Sequence, residues 1–263
     1  MPYRLDVRGA EATAADRLVD LGALDVDGEG DAVAALMPDH VSPEEVRRAI
    51  GRCELSVSPA IGRDEGSVWR LRPGASRVGR THLRPISLGV EPGSLALIDS
   101  AVFGTGLHPT TALCLEMIDE IVGGDPPAAV LDVGIGSGVL ALAALHLGVP
   151  HATGIDLDAE ALRVAAENAR INGLSDRLHL VDGDAGSLEG TWPLVLANVL
   201  AAPLIEMAPV LVRRVGHYGR LVLSGIPVSV EADVARAYTH LGLRHLATKR
   251  REGWIALLMH ASW

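Results

Sequence analysis

The chain has 263 residues, with 29 Gly, 15 Pro, 48% apolar residues and a formal net charge of -10, the balance of a globular protein of one large or two modest domains, which excludes disorder. Its aromatics are four Trp, three Tyr and one Phe, so the core has to be aliphatic and little is available for stacking nucleobases. The excess of 33 acidic over 23 basic residues argues against direct nucleic-acid binding, whose affinity comes largely from Lys and Arg displacing counterions.

Residues 3–57 alternate short elements. A strand is expected at Tyr3–Val7 and an amphipathic helix over about Glu11–Gly22, followed by strands Ala23–Val26 and Ala32–Met37 around a glycine-bearing turn. Ser42, Pro43 and Glu45 spell a capped helix start: Ser at the cap, Pro at the first helical position, and Glu closing a capping box. A strand at Glu54–Val57 completes a βαββαβ pattern of the ferredoxin-like kind. Residues 59–98 carry four prolines and no sustained periodicity, and read as a connector. Six arginines between Arg63 and Arg84, against Asp64 and Glu65, give that connector a local charge of +4. Such a charge run suits either internal salt bridges and solvent or the docking of an acidic partner.

A helix is expected at about Ala112–Ile121. From Ala128 onward, apolar runs of strand length alternate with helical segments, the pattern of a parallel sheet covered on both faces. The strands are Ala128–Val133, Ala152–Asp156, Leu178–Val181, Leu194–Ala197 and Leu221–Ser224, and the last two runs, Arg244–Thr248 and Trp254–His260, read as a closing hairpin with one antiparallel strand. The expected fold is therefore α/β: a Rossmann-like, mostly parallel sheet with an antiparallel closing strand, plus the small α+β unit. The expected domains are 1–58 for the small unit and 99–263 for the larger sheet, with 59–98 as connector. The chain start has no charged-then-apolar run, and no stretch approaches the ~18 apolar residues of a membrane span, so a cytoplasmic place without membrane attachment is expected. Cys53 and Cys114 lack ligand spacing and read as core thiols, with no metal expected.

The chemistry is concentrated in Val130–Gly138, a strand running into a glycine-rich turn. Gly134, Gly136 and Gly138 let the backbone turn sharply and let a ligand approach amides at a helix start. Asp156 lies 22 residues beyond Gly134, at the end of the next strand, where a carboxylate can accept from both ribose hydroxyls. Gly136–Ala141 also fits a dinucleotide fingerprint, but Asp132, two residues before the first glycine, sits badly beside a pyrophosphate. It suits the ammonium and sulfonium of S-adenosylmethionine, or else it caps local amides. Asn198 ends the fourth strand as either a ligand for the transferred group or a helix cap. Asp182 and Asp184, after the third strand, suit the adenine amino group or a surface turn. Thr110 and Thr111 open a helix behind Phe103 and His108, where hydroxyls and amides can bind a carboxylate. His108 is weighed as a base or as a structural residue.

Five blocks, FGTGLHPTT, LDVGIGSGVLALAALHLG, GIDLDAEALRVAAENARING, LANVLAAPLIEMAP and LVLSGI, resemble in order and spacing the PrmA family, the bacterial methyltransferases that modify the eleventh protein of the large ribosomal subunit. The resemblance covers about residues 99–260. It implies a class I S-adenosylmethionine-dependent fold, a βαββαβ unit that grips a protein substrate, and cofactor contacts at Thr111, Gly134, Asp156 and Asn198. It also implies N-methylation of lysine or N-terminal amines, and Asn198 is the residue expected here to orient the amine. Two segments depart from the family pattern. Ile98–Val102 lacks the Pro-Gly that leads into the first block, and the tryptophan-bearing connector is shortened. Both lie where substrate would enter, so a related methyltransferase acting on a peptide or small molecule is the first alternative. An NAD-dependent oxidoreductase and a non-catalytic binding module are the others.

Overall fold

The computed structural model describes residues 3–9, 13–29, 32–51, 53–59, 75–98 and 108–263, and the chain divides into two compact units, 1–73 and 74–263. The first unit runs β1 (Tyr3–Arg8), α1 (Ala14–Asp20), β2 (Asp25–Glu29), β3 (Ala32–Met37), α2 (Pro43–Ile50) and β4 (Glu54–Pro59), with sheet order β2-β3-β1-β4 and all neighbours antiparallel. Leu5 and Val7 of β1 alternate inward against Leu18 of α1 and Val46 and Ile50 of α2. The capping box at Ser42 is formed, with the Ser42 hydroxyl accepting from the Glu45 amide and the Glu45 carboxylate accepting from the Ser42 amide at 2.7 Å.

The second unit opens where the sequence shows no elements. β5 (Ser76–Val78), β6 (Thr81–Pro85) and β7 (Leu95–Leu97) form a small sheet in the order β5-β6-β7. Leu83, Leu95 and Leu97 join the main core, and β7 packs on two helices of the larger sheet. Strands of three to five residues are too short to print a period of two, which is why this region reads as a connector. The described arginines here are spent on the unit itself. Arg80 pairs with Asp119, and Arg84 with Glu91 at 2.8 Å and with the Leu88 carbonyl. Arg63, Arg70 and Arg72 lie outside the described residues.

From there the order is α3 (Pro109–Gly124), β8 (Ala129–Val133), α4 (Val139–His146), β9 (His151–Asp156), α5 (Ala159–Ile171), β10 (Leu178–Asp182), β11 (Trp192–Asn198), α6 (Ala201–Arg214), β12 (Val215–Pro227), α7 (Glu231–Thr239), β13 (Arg244–Arg251) and β14 (Trp254–His260). The seven strands lie in the order β10-β9-β8-β11-β12-β14-β13. All run parallel except β14, which is antiparallel to both β12 and β13, as the terminal hairpin implies. Alternate residues of β11 feed two cores: Leu194 and Leu196 pack towards α3, α4 and α5, while Val195 and Ala197 pack towards α6 and α7. Helix α4 is buried on all sides but His146, which accounts for its unbroken apolar sequence. Cys114 is fully buried and its thiol is pushed up to about 12 by burial, so it acts as a small hydrophobe.

Two features fix the carboxyl edge of the sheet. The chain steps outward from β8 to β9 to β10, then returns to place β11 on the other side of β8, so a crevice opens between β8 and β11 at the point where the strand order reverses. At Gly225 β12 has φ +84°, and a Cβ there would collide with the Val199 carbonyl. Gly225→Ala is accordingly expected to destabilise the protein by more than about 2 kcal/mol, left-handed backbone strain and the clash acting together. Denaturant unfolding checks this, and an unchanged midpoint contradicts it.

Candidate functional site

The crevice is lined by strand ends in register. Val133 of β8 lies beside Ile155 of β9 and Ala197 of β11, which places Gly134, Asp156 and Asn198 on adjoining strands at one edge. The glycine turn is folded over the end of β9, with the amides of Gly134 and Ile135 both donating to the Ile155 carbonyl at 2.9 and 3.1 Å. Gly134, Gly136 and Gly138 have φ of +71°, +54° and +81°, a run that side chains would strain, and a Cβ on Gly134 would stand 2.8 Å from Val199. The turn thus keeps its backbone bare on the crevice edge and leads directly into the amino end of α4.

Asp156 is locked in place. One carboxylate oxygen accepts from the Gly136 amide at 3.0 Å and the other from the Asp158 amide at 3.0 Å. Each oxygen keeps a second lone pair, so the pair can accept two further donors such as vicinal hydroxyls. Asp182 is exposed at the end of β10, beside Asp156 in register, whereas Asp184 uses its carboxylate on the Gly186 amide at 2.6 Å as a turn residue.

Asp132 sits differently from its sequence reading as a cofactor contact. It is 1% exposed, and its carboxylate accepts from the Ala141 amide of α4 at 3.1 Å, so it supports the glycine turn from below. Burial pushes its pKa up to about 8 against the pull of that amide, with the Asp156 charge adding to the rise. Because the folded protein holds a proton that the unfolded chain releases, stability is fullest below the ordinary carboxyl range near ~3.9 and is lost as pH rises towards about 8. Asp132→Asn, whose amide oxygen can still accept from Ala141, removes this loss. Its thermal midpoint relative to the unaltered protein is expected to rise between pH 5 and pH 8; a constant difference across that range contradicts the assignment.

Asn198 is not the cap of the next helix. The α6 cap is Leu200 and makes no side-chain bond. Instead the Asn198 Nδ2 reaches Thr111 Oγ1 at 3.4 Å, and its Oδ1 is buried without a hydrogen-bond partner among the described residues. Thr111 is 0% exposed in the first turn of α3, so the two residues the sequence placed 87 positions apart meet across the crevice. His108 caps α3, with Nδ1 accepting from the Thr110 amide at 3.3 Å, and its ring stands edge-on to Trp254 with centroids 5.2 Å apart. That geometry assigns it a structural task. Phe103 lies outside the described residues. Ser224, beside Asn198 in register, is fully buried and its hydroxyl lies 3.2 Å from the Thr110 carbonyl and 3.1 Å from the Ile255 carbonyl, tying α3 to the sheet.

Two asparagines escaped the sequence reading. Asn168 and Asn172 of α5 and its end hold β7 and the glycine turn. The available signal was Asn168 on the same stripe as Ala161, Val164 and Ala165, all buried, where a polar residue requires a partner. No group of His, Cys, Asp and Glu suited to a metal occurs among the described residues.

This arrangement has close counterparts. The family model described as "Ribosomal protein L11 methyltransferase (PrmA)" matches residues 90–262. A ribosomal protein L11 methyltransferase of Pelobacter propionicus is 37% identical over 77% of this chain and 68% of its own length, and one of Myxococcus xanthus is 36% identical over 81% and 75%. The crystal structure of a ribosomal protein L11 methylase from Lactobacillus delbrueckii subsp. bulgaricus superposes with a TM-score of 0.66 at 27% identity, covering 71% of this chain and 98% of that one.

Proposed function

The chain belongs to the ribosomal protein L11 methyltransferase (PrmA) family, and from that premise we propose that it transfers a methyl group from S-adenosylmethionine to an amine of a large-subunit ribosomal protein. The observation that carries this reading is the Asn198 Oδ1, a buried acceptor without a partner among the described residues at the edge of the switch-point crevice. An orphaned acceptor costs stability unless a ligand donates to it.

The residues present fit the cofactor. Asp156 has two free lone pairs for ribose hydroxyls, the bare backbone of Gly134–Gly138 admits the rest of the molecule, and the exposed Leu157 supplies aliphatic surface for a base. Thr111 holds the Asn198 amide so that its oxygen faces a ligand. Asp132 contributes from beneath the turn, by holding it and by negative charge when ionised. When bound there, S-adenosylmethionine supplies an electrophilic methyl group whose departure leaves a neutral thioether.

The chain's own part is alignment. Asn198 Oδ1 accepts an N–H of the substrate amine and so fixes the direction of its lone pair. Only a neutral amine has that lone pair, and a lysine near its ordinary pKa of ~10.4 is almost wholly charged at pH 7. Removal from water favours the neutral amine over the ammonium, and a neutral amide acceptor opposes this far less than a carboxylate would. Residues 1–58 serve as the unit that grips the substrate, and the protein works in the cytoplasm, where ribosomal proteins are made. Among the described residues no helix is long and apolar enough to cross a membrane.

Family membership sets aside the dinucleotide-dependent oxidoreductase that the glycine spacing alone allowed. Calorimetry tests the cofactor reading directly. Micromolar binding of S-adenosylmethionine with none of NAD is expected; tight NAD binding without S-adenosylmethionine binding overturns it.

A further inference from the structure

The middle of a helix is an unfavourable place for asparagine, and a wholly buried one demands partners for both its oxygen and its nitrogen. Asn168 is 0% exposed in α5 and has them. Its Oδ1 accepts from the Ile98 amide at 2.8 Å, and its Nδ2 donates to the Ser137 carbonyl at 2.8 Å. Four residues on, Asn172 treats β7 in the same way, with Oδ1 accepting from the Ala96 amide at 2.9 Å and Nδ2 donating to the Ala96 carbonyl at 2.7 Å. The spacing is mechanically matched. Two residues of strand span about 6.7 Å and four of helix about 6 Å, so amides at 168 and 172 meet backbone groups at 98 and 96. Asn168 of α5 and Asn172 at its end thereby satisfy backbone groups in and just beyond β7, which pairs with β6 by its own ladder.

The two differ in one respect. Asn172 holds only β7 and its own helix, while Asn168 also grips Ser137, the residue between Gly136 and Gly138. The Ser137 carbonyl is the handle on a turn whose glycines give it little stiffness of its own. We propose that Asn168 is a positioning residue for cofactor binding: it fixes the glycine turn against α5, so that the Gly136 amide stays on Asp156 and the Asp156 oxygens stay aimed at the ribose. This rests on the cofactor reading above. Asn168 touches no ligand and acts through the turn.

The test uses the full chain and S-adenosylmethionine itself. Asn168→Asp keeps an acceptor for the Ile98 amide but loses the donor to Ser137 and sets a carboxylate oxygen against a carbonyl. With the new carboxyl ionised, at the alkaline end of a pH series, its affinity for S-adenosylmethionine is expected to fall about tenfold or more, with KM rising more than kcat falls. Lowering the pH protonates the new carboxyl, restores a donor to Ser137 and recovers affinity relative to the unaltered protein. Asn172→Ala is the control for loss of packing: it lowers the thermal midpoint while leaving cofactor affinity within about twofold. If Asn168→Asp does not fold, Asn168→Ser gives the same comparison, since its short hydroxyl cannot span both partners. Normal affinity in the Asn168 variant throughout the pH series, or equal loss in the Asn168 and Asn172 variants, overturns the proposal. Absence of S-adenosylmethionine binding by the unaltered protein overturns the cofactor reading itself, and this proposal with it.

Discussion

Asn198→Ala is expected to lower methyl transfer about a hundredfold or more in kcat, equivalent to roughly 2.7 kcal/mol of transition-state stabilisation. The truncated side chain removes the one orphaned acceptor found at the crevice edge among the described residues, and with it the hold on the direction of the amine. Thr111 loses its partner as well, so a smaller loss of cofactor affinity accompanies the change. Asn198→Asp is the sharper comparison. It preserves shape, but its charge stabilises a substrate ammonium and so disfavours the neutral amine that reacts. Its rate should improve with rising pH more steeply than that of the unaltered protein. Single-turnover rates at saturating cofactor separate these effects from binding. Full transfer by Asn198→Ala with normal cofactor affinity contradicts the role given to this residue.

The second large effect lies at Asp156. Asp156→Ala is expected to weaken S-adenosylmethionine binding by about a hundredfold to ten-thousandfold, because two hydrogen bonds to a charged acceptor are lost, each worth roughly 1.5–3 kcal/mol. Asp156→Asn should fare little better. Both native oxygens accept from backbone amides, Gly136 and Asp158, so whichever way the Asn amide is turned its NH2 meets one of these donors. The turn must then move or leave a donor unsatisfied. Calorimetric titration with S-adenosylmethionine measures the change, and an Asp156→Asn variant with unaltered affinity contradicts this account of the site.

What the sequence disclosed follows from which features have local causes. The glycine turn and Asp156 are visible because a positive-φ run and a strand-end acid leave marks at fixed spacing. The terminal hairpin is likewise local, and so is the capping box at Ser42. Asn198 was visible as a polar residue ending an apolar strand, but its two readings parted only when Leu200 emerged as the α6 cap. The burial of Asp132 was not visible, since it depends on α4 folding back over β8. The strands between 75 and 98 left no period to read, and that omission hid a second layer. Asn168 and Asn172 are meaningful only because β7 lies against α5; without β7 the place of Asn168 on the apolar stripe asks for a partner but does not say which. The +4 connector divided similarly: Arg80 and Arg84 prove to be internal ion pairs with Asp119 and Glu91, which favours internal salt bridging over a partner surface for those two.

We propose that this chain methylates amines of a large-subunit ribosomal protein with Asn198 orienting the acceptor nitrogen. The most direct measurement incubates the purified full chain with S-adenosylmethionine carrying a labelled methyl group and the unmodified L11 protein of the same organism, then maps the label by mass spectrometry. The account predicts label on lysine or N-terminal amine nitrogens, lost at least a hundredfold in rate with Asn198→Ala at saturating cofactor. No label on a protein that another member of the family methylates under the same conditions would contradict it.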